Sequence, residues 1–230
     1  MIVQTQLAVK NIANPEVPPV YLAPFGEAEL AKVLPIDPNS APYELRQAVI
    51  NLSRLGAASM ADLISRTPVV STFGIYSGRI KPDRFVGVVD LLPAENPGPA
   101  NVEPTYTKTL QSLGVHIYSA RKQGRGLGTA AVLGIMRYAT QIEGTTFFDA
   151  WTSEQNLPAQ RILDNLGYVE TANREHAEHF GGRTSWLKQW IFAAPEAVES
   201  TNTPPLLHEP LRRGYEKFTD LAMKYEVQIV

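Results

Sequence analysis

Residues 114–141 read as a strand, a glycine-laden turn and a helix, and no other stretch restricts the fold as much. GVHIYSA (114–120) is strand-like, RKQGRGLG (121–128) spends Gly124, Gly126 and Gly128 at one bend, and GTAAVLGIMRYATQ (128–141) is helical with apolar residues on most faces. Glycine weakens ordered structure, so it is kept where the backbone must bend sharply or come close to something. A strand that turns this way into a helix leaves free backbone N–H groups at the positive end of the helix, a place suited to phosphate. TTFFDAW (145–151) reads as the following strand, which completes one strand–helix–strand unit.

The rest of the chain is read around that unit. PVVSTFGIYSG (68–78) and DRFVGVVDLL (83–92) are rich in β-branched and aromatic residues and predict an antiparallel pair. PAENPGPANVEP (93–104) predicts a long loop, placed with the residues up to 112 between the second and third strands of the sheet. Upstream, 20–22 reads as a short strand, and helices are predicted at 26–34 and within 42–55. LPAQRILDNLGY (157–168) predicts a compact helix that Pro158 suits at its first turn and Gly167 stops. YVETA (168–172) and TSWLKQWIF (184–192) read as closing strands, and LRRGYEKFTDLAMKYEV (211–227) as a further helix. The expected fold is α/β with a mixed sheet. It divides into an N-terminal segment of unclear structure (1–18), a main domain (19–193) and a Pro-rich linker with a C-terminal helix (194–230).

Composition removes several chemistries. The 230 residues include no cysteine, so disulfides, Cys metal sites and Cys nucleophiles are excluded. A formal net charge of −2 gives no global attraction to nucleic acid. No apolar run reaches the roughly 18 residues of a membrane span, and the N-terminus lacks a signal-peptide pattern, so a soluble cytoplasmic protein is expected. His176 and His179, with Glu175 and Glu178 nearby, lack a third ligand at a supporting spacing and read as solvated loop residues, so no metal is expected.

Four readings of the glycine turn compete. The nucleotide-hydrolase loop needs a Lys-Ser or Lys-Thr after its glycines, which is absent. A dinucleotide fingerprint would put Thr129 at its third glycine, with Asp149 as the ribose-binding acid. A tight turn with no ligand is the plainest reading. The fourth is a resemblance: QGRGLG (123–128) resembles the pyrophosphate-binding signature [QR]-x-x-G-x-[GA] of the GNAT superfamily of N-acyltransferases. NLPAQRILDNLGYV (156–169) is similar to that family's second motif at the expected distance downstream. The likeness covers roughly residues 19–192 and is closest to the branch that includes ribosomal-protein N-terminal acetylases.

The resemblance implies a mostly antiparallel sheet flanked by helices and splayed at the cofactor strand, and acetyl-coenzyme A as cosubstrate. It assigns the pyrophosphate to Gln123, Gly124, Arg125, Gly126, Leu127, Gly128 and Thr129, with Arg121 and Lys122 adding charge. Main-chain contacts to the pantetheine arm are implied from Tyr118 and Ala120, and Asn156 would touch the arm from the other side. Asn156 reads equally as a helix-start residue bonded to its own backbone. The reaction implied is direct transfer to a primary amine on a small molecule or peptide, with no nucleic-acid or membrane partner and a homodimer left open. An alkyl ammonium is less than about 0.1% neutral at pH 7, so a base must take a proton. Relatives carry a tyrosine where Leu163 stands here, and no acid stands at the usual base position, held by Ser112 and Leu113. His116 is the titratable candidate base, although a lone strand histidine is more often a hydrogen-bonded core residue; Asp90 is a weaker candidate. Two alternatives remain: a catalytically degenerate member that binds an acyl-coenzyme A or a protein, and a dinucleotide-binding protein.

Overall fold

The computed structural model describes residues 6–24, 71–93, 110–117, 120–179, 183–200 and 205–230. The helices expected at 26–34 and 42–55, and the loop from 94 to 104, lie outside the described residues, as does Tyr118. Nine described strands form one sheet: β1 (Leu7–Asn11), β2 (Val20–Pro24), β3 (Ser71–Ser77), β4 (Phe85–Pro93), β5 (Leu110–Ile117), β6 (Phe147–Ser153), β7 (Val169–His179), β8 (Arg183–Ala193) and β9 (Tyr225–Ile229). They run in the order β7-β8-β6-β5-β4-β3-β2-β1-β9. Every neighbouring pair is antiparallel except β5 and β6, which are parallel and joined through the glycine turn and helix α1 (Leu127–Tyr138).

Alternation along the strands builds the core. Val20 and Leu22, Phe73 and Ile75, Val89 and Leu91, and Phe148 and Ala150 face one side of the sheet and are buried. Helix α1 lies on that side and buries Ala131, Val132, Leu133 and Ile135 completely, which is why its sequence is apolar nearly all round. Helix α2 (Leu157–Asn165) covers the same side beyond the parallel pair through Leu163. A second cluster joins Phe147, Ile191 and Ala193 to helix α3 (Pro195–Ser200) and to the start of helix α4 (Pro205–Ala222).

Three expectations are corrected. Residues 7–11 are strand β1, held between β2 and β9, so the N-terminal segment is part of the sheet. The tail is two helices and a strand: Pro205 opens α4 at a position where proline's missing N–H costs nothing, and the helix ends at Ala222. YEVQI (225–229) then pairs with β1, where Lys10 and Glu226 form an ion pair at 3.8 Å. Finally, His176 and His179 lie in β7, not in a loop, and His176 stands edge-on to Trp186 of β8 with ring centroids 4.9 Å apart.

Candidate functional site

Strand β5 starts earlier in the chain than its sequence suggests, because Gln111, Ser112 and Leu113 pair with the end of β4. It pairs with β6 at only three positions, Leu110–Phe147, Gln111–Phe148 and Ser112–Asp149. Beyond them both strands continue, β5 to Ile117 and β6 to Ser153, with no ladder between them. The sheet therefore divides at one place, and one edge of β5 loses its strand partner where the chain reaches the glycine turn. That is the splay the resemblance implied.

The turn itself is built by two left-handed glycines. Gly124 has φ +70° and Gly126 φ +76°, and a Cβ at either would meet nothing within 4 Å, so conformation and not space demands glycine there. Gly126 caps α1 without any side-chain hydrogen bond to the first turn. The first intrahelical bond runs from the Ala130 N–H to the Gly126 carbonyl at 2.9 Å, so the N–H groups of Leu127, Gly128 and Thr129 come before it and have no helical acceptor. Gly128 answers a different need: a Cβ there would stand 3.0 Å from Ile162 Cδ1, so glycine lets α1 and α2 approach.

A cavity of about 600 Å³ lies between these parts. Val115 and Ile117 of β5 form one wall, the turn and the start of α1 form the floor, and α2 closes the far side with Asn156, Ala159 and Ile162. Of the residues assigned from sequence, Gln123, Gly124, Gly126, Leu127, Gly128, Thr129 and Asn156 come together here. Gln123 also pins the turn to the strand, its Nε2 donating to the Ile117 carbonyl at 3.0 Å. Asn156 caps α2, its Oδ1 accepting from the Ala159 N–H at 3.2 Å, and it also lines the cavity.

Other assignments move. Arg125 lines neighbouring cavities on the other side of the α1 start. Ala120 lies in a short 3-10 turn (Ala120–Lys122) and not in an extended strand, because β5 ends at Ile117. His116 is in β5, opposite Val88. Leu163 is 4% exposed within the core, so that position offers no proton and does not face the cavity. Tyr168 is also buried; burial first, and then the charge of Asp149, raise its phenol well above its ordinary pKa, which makes it a poorer acid.

Asp149 corrects the dinucleotide reading. It stands near the start of β6, at the last position paired with β5, and is 3% exposed. Gln189 of β8 donates to Asp149 Oδ2 at 3.4 Å, and its own Oε1 accepts from Asn173 Nδ2 at 3.0 Å and from Thr171 Oγ1 at 3.3 Å. A ribose acid would lie at the other end of the strand, so Asp149 belongs to a buried polar link among β6, β7 and β8. Sequence reasoning missed this link because its members come from three strands. Gln189→Leu should remove the donor to a buried carboxylate and strand two further donors, with an expected loss of about 2–3 kcal/mol in a denaturant melt; a change within about 0.5 kcal/mol would disprove the link's importance.

No protein-family model matches the chain, and no curated protein matches it by sequence. Solved structures do. RimJ from Mycobacterium smegmatis, in complex with a CoA disulfide, is 15% identical with a TM-score of 0.57, covering 93% of this chain and 96% of its own. RimL, a ribosomal L7/L12 alpha-N-protein acetyltransferase in complex with coenzyme A, is 13% identical with a TM-score of 0.51, covering 75% and 92%. The spermidine/spermine N-acetyltransferase SpeG from Vibrio cholerae is 16% identical with a TM-score of 0.50, covering 78% and 98%. With the divided parallel pair, the glycine turn at its mouth and these neighbours together, the chain has the GNAT acyltransferase fold.

Proposed function

We propose that this protein is an acetyl-CoA-dependent N-acetyltransferase that moves an acetyl group to a primary amine by direct attack. The observation that carries the reading is a cavity in which uncapped N–H groups at the start of α1 meet an edge of β5 that no described strand pairs. Those N–H groups suit a diphosphate, and Lys122 adds positive charge at the same wall. The unpaired edge of β5 suits a ligand that carries amides and lies along it like one more strand. RimJ and RimL with coenzyme A, and the polyamine enzyme SpeG, support the same chemistry by fold.

In this reading the cosubstrate supplies the thioester, and the chain binds, orients and moves protons. Leu127, Gly128 and Thr129 hold the diphosphate; β5 and the segment through Tyr118 and Ala120 align the arm; Asn156 closes over it from α2. A main-chain N–H of the divided strand stabilises the developing oxyanion. His116 takes the ammonium proton, and the thiolate leaves without an acid, since a thiol pKa near about 8.5 makes it a tolerable leaving group. The acceptor is an amine-bearing small molecule or peptide, and a cytoplasmic location goes with this reading. Among the described residues no helix is long and apolar enough to cross a membrane. The burial of Leu163 favours a second reading, a fold member that binds an acyl-coenzyme A without turnover.

Coenzyme A release, followed with spermidine, a peptide bearing a free N-terminus and a simple alkyl amine, separates the two readings. Turnover with any of them is the expected result; calorimetric binding of acetyl-CoA with no release supports the second, and no binding sinks both. With turnover in hand, kcat/KM should rise with pH if His116 is the base, and His116→Gln should lose that dependence with roughly 100-fold in rate. An unchanged profile in a folded variant would return His116 to the core.

A further inference from the structure

Two buried donors beside the split strands have no partner. Thr152 of β6 is 6% exposed and Trp190 of β8 is 8% exposed, and neither the Thr152 hydroxyl nor the Trp190 Nε1–H meets a hydrogen-bonding group among the described residues. Such groups are rare in folded proteins, because each loses its bonds to water and gains none in the fold. Both lie on the side of the sheet that carries α1 and α2. Phe148 and Ala150 face that side, Thr152 continues their alternation, and Trp190, opposite Ala150, belongs to the same core cluster. Thr152 and Trp190 are therefore diagonal neighbours, within the reach of an aromatic side chain. Ala150 stands one residue and Thr152 three residues past Asp149, the last residue of β6 that pairs with β5. On β5 the residue three past its last pair is Val115, a wall of the cavity between β5 and α2. The two unmatched donors thus lie where the strands have parted, level with the deeper of that cavity's β5 residues.

We propose that Thr152 and Trp190 are catalytic residues that hydrogen-bond the coenzyme A sulfur as it becomes a thiolate. The inference rests on the cosubstrate reading above and adds two residues to its chemistry. With the diphosphate on the first turn of α1, the arm runs along β5 away from the turn, so its sulfur lies towards the closed end of the gap. There the amine nitrogen attacks the thioester carbon, the C–N bond forms, the C–S bond breaks, and the electron pair goes to sulfur. The amine's proton goes to the base; Thr152 and Trp190 keep theirs. The surroundings offer this anion little else. Val115, Ala150 and Leu163 are apolar, Lys188 opposite Thr152 is held by Glu170 at 3.3 Å, and Asp149 lies on the other face of β6. A charge formed out of water is costly unless donors meet it, and donors already in place favour the transition state in which it forms. The two groups left unmatched in the free protein are matched when the sulfur gains its charge.

Titrating the thiol of bound coenzyme A by the ultraviolet absorbance of its thiolate tests this on the wild type, Thr152→Val, Thr152→Ser and Trp190→Phe. In the wild type the bound thiol should ionise about one pH unit or more below its free value of about 8.5. Thr152→Val nearly keeps the shape and removes the hydroxyl. It should move the titration back up and lower kcat by about 10-fold with the affinity for acetyl-CoA little changed, whereas Thr152→Ser should restore both. Trp190→Phe should move the titration in the same direction as Thr152→Val. Because Thr152→Val also deletes an unmatched buried group, its thermal melt without ligand should lie at or above that of the wild type. A bound thiol that ionises at its free value, or one that Thr152→Val leaves unmoved, would overturn the assignment. So would a lower melt for Thr152→Val, which would mean that the hydroxyl holds the fold together. Failure of coenzyme A to bind the wild type would instead overturn the cosubstrate reading.

Discussion

Gly167→Ala should destabilise the protein by about 4 kcal/mol or more, at the extreme of what single substitutions do. Gly167 follows α2 with φ +83°, and a Cβ there would stand 1.9 Å from the carbonyl oxygen of Gly214 in α4. The relation is mutual: a Cβ on Gly214 would stand 2.1 Å from the Gly167 carbonyl oxygen. Two backbones touch at this crossing, and neither atom is the end of a flexible side chain that could swing aside. Relief would require α4 to move off α2, withdrawing Tyr215 and Phe218 from the core cluster they pack against. Gly144→Ala is the control, since Gly144 also has positive φ (+68°) but has nothing within 4 Å of a Cβ. Its cost should be backbone strain alone, about 1–2 kcal/mol. Chemical denaturation of both variants decides the matter, and equal losses would mean that conformation, not collision, governs position 167.

Combining Gly126→Asp with Gly128→Asp should lower the affinity for acetyl-CoA by at least about 100-fold while the protein remains folded. A carboxylate at position 126 would cap the N–H groups of the first turn itself and repel a diphosphate from them. As a helix cap it would offset part of the strain of φ +76°. At 128 the new side chain meets Ile162 Cδ1 at 3.0 Å and intrudes into the cavity wall. Gly126→Ala separates the effects, because it brings the strain without the charge. Calorimetric affinities unchanged in the double variant would remove the glycine turn from the cosubstrate site.

What the sequence makes legible here is what neighbours in sequence decide. The turn could be read because its glycines, its cations and the helix it opens are contiguous, and Asn156 with its helix could be read for the same reason. The split between β5 and β6 could not be read from local pattern, since it depends on register: three pairs from Leu110 to Ser112, and none beyond. A cavity lined by Arg79, Arg84, Lys122 and Arg125 was invisible for a related reason, as these cations meet only when turns distant in sequence gather at one end of the sheet. Proline misled the reading of the tail. Pro205 and Pro210 look like linker residues, yet the first opens α4 and the second is carried inside it, with Leu207, Leu211 and Gly214 buried along the helix.

Strand β1 has its two partners at opposite ends of the chain, β2 a few residues on and β9 almost the whole sequence later. During synthesis, β1 and β2 can meet early, but the edge of β1 that β9 pairs must wait until β9 is made. An open strand edge invites pairing with other chains, and closing so long a loop is slow. Pairing with β9 covers the hydrogen-bonding groups of that edge and passes the sheet edge to a short strand that carries Glu226, and charge on an edge strand discourages pairing with other chains; truncation before Tyr225 should therefore show itself as aggregation during expression before any loss at the cavity is seen.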